Sequence, residues 1–355
     1  MRKAVFLMLT CVALLNSCKP KSETDTNLTL NLESSEDGTV DFNDLFMCVD
    51  SIMLENTMQI PMQVVTKIEK HDSQYYVMGN PDTEPLRVFD GDGRYIRSIG
   101  AFGRGHGEYT SISDFSVSEQ TGKIAILTFP MTINIYDLKG NFIERKTLSD
   151  TYCWNVSGIM DGFVFSTNHL PNSEGNQQPL LYTTDDTFSD LKGCVETLPF
   201  QVSVPPQVSS VFQTDGKQCY YVDSPTNIVY AYNSEKQGLE KKYGIKLPSP
   251  LSPSAYKDIE TFNTEAINKD FLLDVVILSN RIIISYIKGR FPMVAVFDKN
   301  GKPLLNKRLT SPLPKMFCMD GVTVVVPVLP YEHAKEHKAD GHQDRIRFVM
   351  YKQKI

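Results

Sequence analysis

The chain has 355 residues, with 36 basic against 42 acidic side chains for a formal charge of −6, and it is 41% hydrophobic and 22% charged. That composition excludes a disordered polyelectrolyte. The acidic balance argues against a nucleic-acid binder, which normally shows a basic stripe, so no nucleic-acid partner is expected.

Arg2 and Lys3 open the chain, and Ala4 to Leu15 is an apolar run broken only by Thr10. The run falls short of the roughly 20 apolar residues a membrane-spanning helix needs, but fits the apolar region of a secretory signal. It ends in Leu15-Asn16-Ser17-Cys18, and polar Lys19-Pro20-Lys21 follows at once. Residues 1–17 therefore read as a lipoprotein signal peptide, with Cys18 as the lipidated residue. Asn16 is an unusual occupant of that motif, and Cys11 is a weaker rival because Thr10 precedes it. Residues 18–42 are polar with scattered Leu, and read as a flexible tether. Residues 43–355 remain for the folded body.

In that body, short β-type runs alternate with Gly, Asp and Asn until residue 252. An aliphatic–aromatic pair followed by a Gly-containing turn recurs, as Val88-Phe89-Asp90-Gly91-Asp92-Gly93, as Ile135-Tyr136-Asp137-Leu138-Lys139-Gly140 and as Val296-Phe297-Asp298-Lys299-Asn300-Gly301. Looser copies surround Tyr182 and Tyr230, and Val349-Met350-Tyr351 is a truncated one. The six markers are 47, 46, 48, 67 and 54 residues apart, and a period of this order in β-type sequence is that of a propeller blade. A tight turn precedes each marker, at His71-Asp72-Ser73, 119–122, Asp161-Gly162, Asp215-Gly216, Ser279-Asn280 and Asp320-Gly321. Each unit thus reads as four strands joined by hairpins.

The fold class is therefore all-β, a six-bladed β-propeller. The last blade runs out of chain after its third strand, while Phe46 to Glu55 belongs to no blade. This N-terminal strand should complete the last blade and close the ring, removing an open edge. One helical insertion is expected between blades four and five, opening at Ser252-Pro253. Tyr256, Ile259, Phe262 and Ile267 would be its packing stripe.

With the lipidation motif and the repeat, Gly100-Ala101-Phe102-Gly103-Arg104-Gly105-His106-Gly107-Glu108-Tyr109 between blades one and two makes the chain resemble the TolB-like six-bladed propeller lipoproteins typical of Bacteroidetes. The resemblance covers roughly residues 45–355. It implies fold and envelope location, and little chemistry.

All four long connections, 100–111, 169–178, 247–270 and 329–344, fall on one face, opposite the tight turns. Long loops on a rigid scaffold mark that face as the expected binding surface. Arg104, His106, Glu108, Tyr109 and His169 are its ligand-face candidates, with structural roles for the glycines the competing reading. His333-Ala334-Lys335-Glu336-His337 has the spacing of an inverted zinc-peptidase motif, making His333 and His337 candidate ligands for a transition metal such as zinc. The context is wrong for a peptidase, because the motif sits in a link between two strands. Asp90-Gly91-Asp92-Gly93 looks like the start of a calcium loop but is better explained by hairpin chemistry. Five further cysteines, Cys48, Cys153, Cys194, Cys219 and Cys318, read mostly as buried free thiols.

No catalytic constellation emerges. The sequence describes a cell-envelope lipoprotein, held in the outer membrane by its lipid, whose propeller binds a protein, peptide or glycan without catalysis. A metal-dependent hydrolase or lyase using the loop histidines is the first alternative, and an envelope scaffold working through blade edges the second.

Overall fold

The computed structural model describes residues 28–56, 62–128, 132–148, 150–205, 208, 210–329 and 345–354. Six antiparallel sheets are arranged as blades, each with strands a to d numbered outward from the axis. The innermost strands are Lys67–His71, Asp114–Ser118, Asn155–Ile159, Phe212–Thr214, Phe271–Ile277 and Phe317–Cys318 for blades one to six. The outermost strands of blades one to five are Tyr95–Ile99, Phe142–Thr147, Lys192–Val195, Gly238–Lys246 and Pro303–Leu309. Blade six takes its outer strand from the other end of the chain, as expected: Phe46–Met53 pairs antiparallel with Arg347–Gln353, with Phe46 opposite Gln353 and Met53 opposite Arg347.

The recurring aromatic marks one structural event. Phe89, Tyr136, Tyr182, Tyr230, Phe297 and Tyr351 all lie on strand c, and in all six blades the ladder to strand d shifts register between that aromatic and the residue before it. Such a bulge increases local twist, which each blade needs in order to pack on its neighbour. The turn that follows uses one device repeatedly. The Asp90 carboxylate accepts the N–H groups of Asp92 and Arg94, Asp137 those of Lys139 and Asn141, and Asp298 those of Asn300 and Lys302, all at 2.8–2.9 Å. Gly93, Gly140 and Gly301 sit at φ of 84°, 91° and 80°, where a side chain would be strained. Asp90-Gly91-Asp92-Gly93 is thus a hairpin turn: one carboxylate is spent on backbone, and Asp92 pairs with Arg94 at 3.1 Å.

Two expectations need correction. The sequence reads as a flexible tether over residues 18–42, but from Leu28 onward the chain is a strap. Leu28–Asn31 adds a parallel fifth strand to blade four, pairing with Tyr243 to Lys246, and Thr39–Val40 does the same for blade five against Arg308 and Leu309. The physical reason is in the leucines that looked scattered. Leu28, Leu30 and Leu32 alternate as a strand's buried face does, and Leu30 and Leu32 are fully buried. Asp41 then caps a short helix, Phe42–Leu45, in a reciprocal capping box with Asp44.

The second correction concerns the insertion. Pro253–Lys257 is a 3-10 turn, and the α-helix is Ile259–Ala266, capped by Asp258 rather than Ser252. Tyr256 and Phe262 are buried, with Val202, Val204, Leu251 and Ala255 around them. Ile259 and Ile267 point to solvent.

Candidate functional site

The Gly-rich stretch 100–109 is a lock between blades one and two. Ala101–Phe102 pairs in parallel with Glu108–Tyr109, and the Glu108 carboxylate turns inward to accept the Gly105 N–H at 2.7 Å. The Tyr109 hydroxyl, buried, donates to the Ile99 carbonyl at 2.6 Å and accepts the Leu86 N–H at 3.2 Å. Blade two answers from its side: Tyr136 donates to the Gly107 carbonyl at 2.9 Å, and both Asn134 and Arg145 reach the Glu108 carbonyl. At Gly100 a Cβ would lie 2.5 Å from the Tyr136 hydroxyl, so the approach itself requires glycine. Glu108 and Tyr109, expected on a ligand face, are spent on this lock because their polar atoms have internal partners. Arg104 and His106 are exposed, and His106 lies edge-on to Phe142 with ring centroids 4.5 Å apart.

His169 is not available to a ligand either, being 3% exposed. Its Nδ1 accepts the Leu198 N–H at 3.2 Å and lies 2.9 Å from the Thr197 hydroxyl. An N–H group can only donate, so Nδ1 is the acceptor and Nε2 carries the proton. Nε2 donates to the Asp223 carboxylate at 3.0 Å, tying the b–c connection of blade three to blade four. Cys18, His333, His337 and His342 lie outside the described residues. Among the described residues no group of three or more His, Cys, Asp or Glu side chains is placed to hold a metal ion. Cys48, Cys153, Cys194, Cys219 and Cys318 are free thiols. Burial pushes Cys219 and Cys318 up to about 12, which keeps them protonated and unreactive.

A cavity of about 630 Å³ lies instead at the axis, among the a strands of blades one, two, three, four and six. It reaches the a–b turns at His71, Glu119, Met160, Lys217 and Asp320, so it belongs to the tight-turn face. Blade five is kept out by three interlocked turns. The Ser279 N–H donates to Gly321 O at 2.6 Å, and its hydroxyl to Asp215 O at 2.9 Å. None of Arg104, His106, Glu108, Tyr109 and His169 lines this space.

One wall is a buried charge network that the sequence reading missed. Lys67 Nζ lies 2.8 Å from Asp114 and 3.2 Å from Glu69, and donates to the carbonyls of Phe115 at 2.6 Å and Val156 at 3.3 Å. Glu69 also accepts the Val117 N–H at 2.8 Å, and Asp114 the Val156 N–H at 2.9 Å. Each carboxylate thereby stitches its own a strand to that of the next blade. At the mouth, the two ring nitrogens of His71 each lie 3.3 Å from a carboxylate, Glu69 on one side and Glu119 on the other. Burial works against the charge on His71, but the two glutamates outweigh it and hold its pKa above the ordinary value. Burial likewise opposes charge on Lys67 and Glu69, yet Lys67 ends above its usual pKa through Asp114 and Glu69. Glu69 ends below its own through Lys67 and His71. The available signal was the density of charge inside one inner strand, Lys67-Ile68-Glu69-Lys70-His71, where the inner strands of blades two and five carry a single Asp each and those of blades three, four and six carry no charge.

Two solved structures resemble the chain in fold. A protein of Bacteroides fragilis named as exported is 13% identical, with a TM-score of 0.71 over 92% of this chain and 100% of that one. A member of the DUF4221 family from Bacteroides vulgatus is 8% identical, with a TM-score of 0.57 over 87% of this chain and 98% of that one. No curated protein matches the sequence. The profile of a domain of unknown function, DUF4934, matches residues 26–330, which spans strap and blades together, and the chain belongs to that family.

Proposed function

We propose that this is an exported, non-catalytic binding propeller whose ligand enters the axial cavity from the tight-turn face. The observation that carries the reading is the cavity of about 630 Å³, within the size range of small-molecule sites. The long-loop candidates Glu108, Tyr109 and His169 are meanwhile consumed by internal hydrogen bonds. Export is supported by the apolar leader and by the name of the Bacteroides fragilis relative. Lipidation at Cys18 and outer-membrane anchoring extend the proposal, with the Leu15-Asn16-Ser17-Cys18 motif as support. Loss of an acylated N-terminal peptide in Cys18→Ala, read by mass spectrometry, tests that extension.

For the cavity, the purified protein is equilibrated with a small-molecule extract of the cell envelope and examined by native mass spectrometry. A retained adduct should disappear when the mouth is filled in Gln120→Trp/Lys217→Trp and persist in Arg104→Ala/His106→Ala. The opposite pattern returns the site to the long-loop face.

A second reading, a scaffold working through a blade edge, has one observation behind it. Met47, Val49 and Met53 are 51%, 43% and 38% exposed along the outer strand of blade six. Under that reading Met47→Lys/Val49→Lys removes a co-purifying envelope protein without altering adduct retention.

A further inference from the structure

We infer that the ligand of the axial cavity is a small organic anion, bearing a carboxylate or a phosphate. The inference rests on the cavity being a ligand site, and follows from which lining charges are already spent. Every carboxylate on the wall is committed to the protein. Glu69 serves Lys67, His71 and the Val117 N–H. Glu119 accepts the Asp72 N–H at 3.1 Å and faces His71. Asp320 accepts the N–H groups of Val322 and Thr323 at 3.0 and 2.6 Å and the Thr323 hydroxyl at 3.1 Å.

The cations divide differently. Lys67 and His71 are matched by those acids, but Lys70 and Lys217 also line the cavity. Neither ammonium group has a hydrogen bond or an ion pair among the described residues. Lys70 lies 5.6 Å from the Tyr75 ring, and its charge is felt at Asp320. Gln120, exposed at the rim, has an equally free amide. A cationic ligand would have to pull a carboxylate from its internal partners, whereas an anion meets two open ammonium groups and an amide. Hydrogen bonds between opposite charges are the strong ones, and a partly enclosed site screens them less than open water does. Ile159, Met160, Phe212 and Met319 supply apolar wall for the remainder of the molecule.

Four probes of nearly one shape test the charge requirement by isothermal titration: glucuronate, glucose 6-phosphate, glucose and glucosamine. The acids should bind and the other two should not, and Lys70→Gln and Lys217→Gln should each weaken the acids about tenfold without lowering Tm. Glucuronate against glucose 6-phosphate separates carboxylate from phosphate. Glucose or glucosamine binding as tightly as the acids overturns the anion assignment and leaves the cavity a ligand site. Failure of the envelope-extract experiment removes the cavity reading itself.

Should none of the four bind, thiol labelling at the rim decides the matter. In a Cys18→Ser/Cys48→Ser chain carrying Gln120→Cys, a sulfonate-bearing methanethiosulfonate should react several-fold faster than its trimethylammonium counterpart, and Lys70→Gln/Lys217→Gln should abolish the difference. Equal rates, or a faster cationic reagent, overturn the inference.

Discussion

Replacing Lys67 by Met should destabilise the propeller far more than loss of a surface charge. The side chain makes ion pairs with Asp114 and Glu69 at 2.8 and 3.2 Å, and their side chains are only 5% and 17% exposed. Methionine keeps most of the volume, leaves Asp114 without its ion-pair partner and leaves Glu69 with His71 alone. Breaking a buried pair costs about 3–5 kcal/mol. The lost donor to Phe115 O and Val156 O adds about 1 kcal/mol, and the retained His71 beside Glu69 offsets part of the total, so about 4 kcal/mol is expected. At roughly 2 °C per kcal/mol for a large domain, Tm should fall by about 8 °C. Urea unfolding followed by circular dichroism measures the effect. The decisive comparison is the triple variant Lys67→Met/Glu69→Gln/Asp114→Asn. Its amides still accept the Val117 and Val156 N–H groups but carry no charge, so it should be more stable than Lys67→Met alone. A single-variant cost below about 1 kcal/mol, or a triple variant less stable than the single, would refute the network as described.

Tyr109→Phe strands the buried Leu86 N–H and Ile99 carbonyl and should cost about 2–4 kcal/mol, whereas Arg104→Ala and His106→Ala should stay within about 0.5 kcal/mol; equal effects in denaturant melts would sink the lock. Leu30→Ala opens a hole under the strap, and should cost about 2–5 kcal/mol and speed amide exchange at Tyr243 to Lys246. Unchanged exchange there would mean that the strap is not docked in solution. The pH dependence follows from two shifts of opposite sign. His71 is raised above its ordinary 6.5, so its stabilisation is full below pH 6.5 and is lost as pH rises through the folded value. Glu69 is lowered below its ordinary 4.5, so its contribution is full above pH 4.5 and is lost as pH falls through its folded value. The pair should therefore stabilise most between pH 4.5 and 6.5, and a Tm-versus-pH curve for His71→Gln should lose the decline on the alkaline side. A variant curve parallel to wild type would contradict this.

The blade plan was legible because its determinants are local. The strand-c aromatic and its bulge recur in all six blades, and an Asp or Asn turn follows within a few residues in the first five, so the repeat is printed in plain order. The closing strand 46–53 was legible from stoichiometry, since one blade lacked a strand and one strand lacked a blade. The strap at Leu28 to Val40 was overlooked because its polar partners, Thr29, Asn31 and Glu33, dominate the composition. Its period-2 leucines were the available signal. The charged wall was beyond any local pattern. Lys67 meets Asp114 and Val156 across 47 and 89 residues, one and nearly two blade periods, so its members become neighbours only when consecutive a strands are laid side by side.

The proposed mouth lies opposite the long loops for a related physical reason. Long connections have enough chain to fold back on the blades and satisfy themselves. Residues 100–109 do so through Glu108 and Tyr109, 169–178 through His169, and 247–270 through Tyr256 and Phe262. A turn of two to four residues has no such reach. At the a–b turns the chain reverses beside the axis, leaves the channel open, and points the ends of strands a into it. Length therefore offers material for a lid, while brevity leaves a mouth. His71, the one histidine the sequence placed on the tight-turn face, stands at that mouth between Glu69 and Glu119. If the long-loop face were nonetheless the binding surface, His169→Gln should abolish ligand retention at full stability. The buried bond from Nε2 to Asp223 argues instead for a stability loss of about 1–3 kcal/mol with retention unchanged, and the two outcomes separate in one melt and one titration.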